Sequence, residues 1–193
     1  MSAVATHPMK LVGPWAGGYV LDYHTVSSIP TGDPYYRFDT KRTELGELLY
    51  HLKYRAGANP SVTEIVDTLG QFLGTWNPPI EVIVPSPPSL GRPTQPVVHI
   101  ARSLSERLQI PAIEDALIKT KPTPQMKNIQ DWFERRRLHA EAIQAGPADL
   151  RDKVVLLLDD LVESGSTLRR SAEVLLRDCG VKAVYALVLT RTK

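Results

Sequence analysis

A single cysteine, Cys179, occurs in 193 residues, which excludes a disulfide framework and any four-cysteine zinc site. Lying just before Gly180 on a helical pattern, it reads as a small core residue rather than a nucleophile. No apolar run approaches the ~20 residues needed to cross a bilayer, and the first residues lack the compact apolar stretch of a signal peptide. An excess of one charge is also missing. Lys and Arg number 23 against 21 Asp and Glu, a net charge of +2, too close to balance to imply a nucleic-acid partner. The histidines at 7, 24, 51, 99 and 139 show no metal-ligand spacing, and His99 reads as helix packing. No Gly-x-x-x-x-Gly-Lys-[Ser/Thr] run exists, so the Walker-B-like strand from Val155 to Asp160 does not make a P-loop ATPase. Repeats and low-complexity tracts are absent as well. What remains, 42% hydrophobic and 23% charged, is the composition of one folded domain with appendages, expected in a reducing cytoplasm with no membrane partner.

The N-terminal residues 1–38 are uneven, and are expected to form an appendage to a core spanning 39–193. Within the appendage, Tyr19 to Val26 is β-branched and aromatic and reads as a strand, and Ile29 to Pro34 reads as a turn or loop. Asp39 is the expected N-cap of a helix carrying Leu45, Leu48, Leu49 and Leu52, closed near Gly57. A second helix is expected from Ser61, whose Ser-Val-Thr-Glu run has the form of a capping box. Ile80 to Val84 reads as a short strand cut off by Pro85-Ser86-Pro87-Pro88, and residues 96–108 as a helix. Residues 119–137 are basic, and Pro122 and Pro124 make their first part a loop.

The clearest unit comes last. Val154 to Leu158 is apolar without alternation, as in a parallel strand covered on both faces. Asp159-Asp160 end it, a turn through Gly165 follows, and a helix bearing Leu168, Ala172, Leu175 and Leu176 leads past Gly180 to a strand at 181–189. Strand, helix and strand over about 35 residues make a βαβ unit, and the fold class is α/β. Ligands of such sheets sit beyond the carboxyl ends of the strands. Two adjacent carboxylates there accept hydrogen bonds from vicinal hydroxyls or hold a divalent cation. Gly165 permits a tight fold in which the amides of Ser164 to Thr167 converge, and the helix start adds partial positive charge. A diol grip beside a phosphate cradle describes a ribose 5-phosphate site.

The run Val154 to Leu168, VVLLLDDLVESGSTL, resembles the phosphoribosyl pyrophosphate (PRPP) signature of type I phosphoribosyltransferases. The resemblance implies their fold, a twisted parallel sheet with helices on both faces and a hood-like segment. It also implies that Asp159 and Asp160 hold the ribose hydroxyls, and that Glu163, Ser164, Gly165, Ser166 and Thr167 hold the 5′-phosphate. Further matches include Lys53 in Leu-Lys-Tyr-Arg, then Pro85, Ser86 and Pro87, then Arg92 with Gln95, and Thr123-Pro124-Gln125 ahead of Arg135. They occur in the order seen in ComF-like, competence-associated homologues. Two departures stand out. The cysteine-rich zinc module of ComF proteins is missing, and their Arg-Gly-Phe-Asn-Gln segment is here Arg92-Pro93-Thr94-Gln95.

The activity implied is transfer of phosphoribosyl from PRPP to a nucleobase or amine with release of pyrophosphate, the alternative being an idle PRPP- or nucleotide-binding regulator in a competence or DNA-related pathway. The family's Mg²⁺ would touch Asp159 and Asp160 only indirectly, through ribose and pyrophosphate oxygens. Pro85, Ser86, Pro87, Arg92 and Lys53 fall on the PRPP-binding side, with a proline-rich surface turn as the plain alternative for 85–89. Lys121, Lys127 and Arg135 match a mobile loop that closes over the reacting centre; a solvated basic helix face is the alternative for Arg136 and Arg137. Glu163 matches an acid that contacts the base nitrogen in hypoxanthine-type relatives, where ComF homologues more often have threonine. It completes the expected catalytic set with Asp159 and Asp160, its alternative being a helix-start acid. A hood would come from the N-terminal part, with Trp15, Tyr19, Tyr35, Tyr36 and Phe38 available to stack on a base. A homo-oligomer, a dimer, is expected, and nucleic acid is not expected as a partner.

Overall fold

The computed structural model describes residues 3–32, 38–54, 59–87, 95–119 and 143–193. Its centre is a five-stranded sheet. Strands β2 (Gly17–Tyr23), β9 (Ala183–Arg191), β8 (Val154–Val162) and β5 (Val82–Pro85) run parallel in that order, and β1 (Met9–Lys10) lies antiparallel on β2. Two antiparallel ribbons stand apart from it: β3 (Thr25–Pro30) with β4 (Phe38–Arg42), and β6 (Leu117–Lys119) with β7 (Ile143–Ala145). The helices are α1 (Glu44–Tyr54), α2 (Asn59–Trp76), α3 (Pro96–Leu108) and α4 (Ser166–Arg177). Among the described residues no helix is long and apolar enough to cross a membrane.

Both sheet faces are covered, which is why β8 is apolar from Val154 to Leu158 instead of alternating. Val155 and Leu157 of β8 pack with Val184 and Val188 of β9 beneath Leu168, Ala172 and Leu175 of α4. Leu156 and Leu158 face the other way, with Leu187 and Leu189, against Leu49 of α1, Leu69 of α2 and Ile100 of α3. Each residue step along a strand changes the layer.

Several element limits differ from those the sequence suggests. The Tyr19–Val26 run is two strands, broken at His24, whose N–H donates to Arg191 O at 2.7 Å. Ile29 and Pro30 are not a turn: they extend β3 and pair with Asp39 and Phe38. Asp39 is therefore extended, and the cap of α1 is Thr43. Its Oγ1 accepts from Gly46 N–H at 3.0 Å and donates to Tyr23 O at 2.7 Å. A hydroxyl at the right distance from the first apolar turn displaced an aspartate four residues too early. Helix α2 begins at Asn59, so Ser61 and Glu64 lie inside it; Pro60 fits a first turn, where no N–H is required. Strand β5 runs over 82–85, two residues later than 80, since Ile80 N–H turns back to Pro78 O at 2.8 Å. Strand β9 likewise continues to Arg191. Gly57, Tyr35 and Tyr36 lie outside the described residues.

Gly46 sets how closely α1 approaches the sheet: a Cβ there would lie 2.1 Å from the His24 carbonyl oxygen. Backbone cannot yield as a side-chain tip can, so α1 itself would move. Gly46→Ala is expected to destabilise by about 1–3 kcal/mol, seen as a melting temperature about 2–10 °C lower. An unchanged melt would show that α1 has slack.

Candidate functional site

The sheet changes direction between β5 and β8. From β5 the chain passes through α3 to Ala112, which bridges Ile83 in parallel on the side of β5 away from β8. From β8 it passes through α4, on the opposite face, to β9. Strands diverging this way leave a crevice at their carboxyl ends, where open α/β sheets hold ligands. Here the crevice is sharpened by unequal lengths. Pro85 pairs with Leu158, Ser86 N–H donates to Leu158 O at 2.7 Å, and β8 continues to Val162 beside β9 alone. Asp159 and Asp160 thus lie inside β8, not at its end as the sequence suggests, because β9 keeps pairing as far as Val162–Arg191.

Strand alternation turns the two carboxylates to opposite layers. Asp160, on the layer of Leu156 and Leu158, meets α1: Lys53 Nζ is 2.9 Å from its Oδ2, with the two side chains 11% and 17% exposed. Asp159, on the layer of Val155 and Leu157, lies near Lys119 of β6, whose amine is lowered by burial and raised in turn by the Asp159 charge. Asp159 is half-buried. Burial first, then the Asp160 carboxylate, push it up to about 7, although Asp160 N–H donates to its Oδ1 at 2.9 Å. Ser86 sits beside it, yet its hydroxyl, on a residue 3% exposed, makes no hydrogen bond of normal geometry.

Gly165 adopts φ 75°, ψ 3° immediately before α4, a left-handed conformation in which side chains are strained. Ser164 Oγ and Ser166 Oγ lie 3.0 Å apart, and Arg169 N–H closes the first helical turn on Gly165 O at 2.9 Å. The first-turn amides have no acceptor within the helix and carry its positive end. Glu163 and Ser164 are exposed; Gly165, Ser166 and Thr167 are half-buried.

Of the residues singled out in the sequence, the structure brings together Asp159, Asp160, Lys53, Pro85, Ser86 and Pro87, with Glu163 to Thr167 on the adjoining turn. Arg92, Lys121, Lys127 and Arg135 lie outside the described residues. Trp15 and Tyr19 are packing residues. Trp15 lies against the core and donates from Nε1 to Leu11 O, and Tyr19 makes edge contacts with Phe72 and Trp76. Phe38 is exposed on β4. Three site neighbours gave no signal of their own in the sequence: Lys119, His24 and Thr190. Thr190 Oγ1 donates to the Asp160 carbonyl at 3.2 Å, so His24 Nδ1, 3.2 Å away, must be the donor to Thr190. Burial and the Lys53 charge lower His24, which favours the neutral ring.

Among the described residues no group of three or more His, Cys, Asp or Glu could enclose a metal. Two carboxylates, one already on Lys53, are hard oxygen donors that suit Mg²⁺ only as a minority of its ligands, with phosphate oxygens and water supplying the rest.

Three comparisons bear on this arrangement. The family model described as "Phosphoribosyl transferase domain" matches residues 96–193. The ribose-phosphate pyrophosphokinase of Thermococcus kodakarensis is 29% identical over 90 residues, 45% of this chain and 32% of that protein. This chain therefore spans about a third of that relative's length. Among solved structures, the adenine phosphoribosyltransferase of Thermoanaerobacter pseudethanolicus superposes with a TM-score of 0.51 at 15% identity, covering 86% of this chain and 84% of that one. The purine phosphoribosyltransferase of Pyrococcus horikoshii gives 0.43 at 20% identity, covering 68% and 83%. The first of these structures shares the fold, an α/β sheet covered by helices on both faces.

Proposed function

This chain belongs to the phosphoribosyl transferase domain family, and we propose that it transfers the phosphoribosyl group of PRPP to a nucleobase or amine, releasing pyrophosphate. The observation that carries this reading is the joint position of Asp159, Asp160 and the Gly165 turn at the crevice between β5 and β8. In it, Asp160 and the ionised Asp159 accept hydrogen bonds from the ribose hydroxyls. The amides and hydroxyls of Ser164 to Thr167 take the 5′-phosphate at the start of α4. Ser86 and its proline neighbours take the pyrophosphate side. Bound Mg²⁺ would neutralise phosphate charge, with Asp159 and Asp160 reaching it only indirectly, through ribose and pyrophosphate oxygens. A nitrogen nucleophile then replaces pyrophosphate at the anomeric carbon. That chemistry needs positioning and charge stabilisation rather than a protein nucleophile.

Kinship with ComF-like proteins rests on the order of the motifs and on Lys53, and is part of the proposal. So are a dimeric state, a cytoplasmic location and base cover from residues 1–38, for which exposed Ile29 and Phe38 on the β3–β4 ribbon are the available surface. Glu163, on the turn between β8 and α4, is proposed as the base or hydrogen-bond partner of the incoming nitrogen. Incubation of the protein with Mg–PRPP and a panel of bases and amines is expected to release pyrophosphate with at least one acceptor. Tight PRPP binding without release from any of them would favour the regulatory alternative. With the accepted base, Glu163→Gln is expected to slow turnover by about 10²-fold or more. A rate unchanged across pH would rule out the base role.

A further inference from the structure

Lys53 stands on the last turn of α1, which is seated by Leu45, Leu49 and Leu52 against the layer that Asp160 faces. Its ammonium lies 2.9 Å from Asp160 Oδ2, in a pair 11% and 17% exposed, and so is committed to a carboxylate rather than to open crevice. The main chain of residue 160 is held as well, by Thr190 Oγ1 on its carbonyl, with His24 behind Thr190. The groups around the carboxylate are Lys53 from α1, His24 from the end of β2, and Asp159 from β8 itself. Adjacent carboxylates repel, and a phosphorylated sugar would add further negative charge. A fixed cation offsets that charge and anchors one oxygen of Asp160, which sets the direction of the other.

We propose that Lys53 is a positioning residue: it acts on the sugar through Asp160, by holding one carboxylate oxygen so that the other accepts a ribose hydroxyl, and it makes no essential contact with phosphate. This rests on the ribose-phosphate reading of the crevice, and reassigns Lys53 from direct PRPP contact to support of the acid that makes it.

A double-mutant cycle read by titration calorimetry separates the two roles, with ribose 5-phosphate and Mg–PRPP as probes. Lys53→Met is expected to weaken both probes by about tenfold or more, and Lys53→Arg to restore most of the loss. In the Asp160→Asn background, where the acceptor is already lost, Lys53→Met is expected to change affinity by less than about twofold. Lys53→Gln, which keeps a donor without the charge, serves in the same cycle should Lys53→Met not fold. Equal losses in both backgrounds would overturn the assignment, since they would mean that Lys53 touches the ligand itself. No heat from the wild-type protein with either probe would overturn the ribose-phosphate reading, and this assignment with it.

Discussion

Asp159→Asn is expected to cost ligand affinity and at the same time to stabilise the fold above neutral pH. Burial and the Asp160 charge raise the folded carboxyl from 3.8 to about 7. Between those values the folded protein holds a proton that the unfolded chain has released. Stability therefore falls as pH rises through this window, and the full penalty stands above about 7. At 1.36 kcal/mol per pH unit its size is at most about 4 kcal/mol. Asparagine removes that term. At pH 8 the variant should melt about 4–15 °C above the wild type, with the two converging below about pH 3, where the carboxyl is protonated in both the folded and the unfolded chain. A gap that persists unchanged below about pH 3 would contradict the burial account. Ligand binding moves the other way. The ionised carboxylate accepts hydroxyl hydrogen bonds worth about 1.5–3 kcal/mol, so ribose 5-phosphate should bind more tightly as pH rises through about 7. Asp159→Asn should lose about 10- to 100-fold in affinity, together with that pH dependence. The phosphate titrates near ~6 on its own account, and comparing the two proteins cancels its contribution.

Gly165→Val is the second large effect expected, and here the cause is conformation rather than space. A Cβ at 165 would lie 3.7 Å from Val162 Cγ2, an ordinary contact. The cost arises at φ 75°, where a β-branched residue loses about 1–2 kcal/mol or more. Relief of that strain would turn the peptide planes of the 164–167 loop, so its amides would no longer converge. Phosphate affinity should fall by about 10- to 100-fold, read with inorganic phosphate or ribose 5-phosphate. Asparagine tolerates the left-handed region, so Gly165→Asn should stay within about fivefold of the wild type. Equal binding by the valine variant would show that the loop holds no phosphate.

Much of this architecture was legible in the residues because β8, α4 and β9 form a local unit whose apolar pattern has a single solution. Helix α3 was equally plain, with Pro96 at its start and Val97, Ile100, Ala101 and Leu104 on one face. The errors fell where a distant partner decides. Nothing local shows that β9 runs on to Arg191 and carries β8 past its acids, or that Tyr23 O draws the Thr43 hydroxyl to cap α1. The acids and the Gly165 turn are contiguous in sequence and so were found together. Lys53 entered through family likeness, but its tie to Asp160 depends on α1 packing across β8, 107 positions away in the chain (160 − 53). Lys119, His24 and Thr190 reach the crevice from strand ends and ribbons, where no periodicity singles out one polar residue from its neighbours.

The most direct test is calorimetric titration of the full chain with PRPP in the presence of Mg²⁺. Saturable heat is expected, competed by ribose 5-phosphate and lost in an Asp159→Asn, Asp160→Asn double variant. Wild-type protein that gives no heat, or a double variant that binds PRPP undiminished, would contradict the claim that the crevice between β5 and β8 grips a phosphorylated ribose.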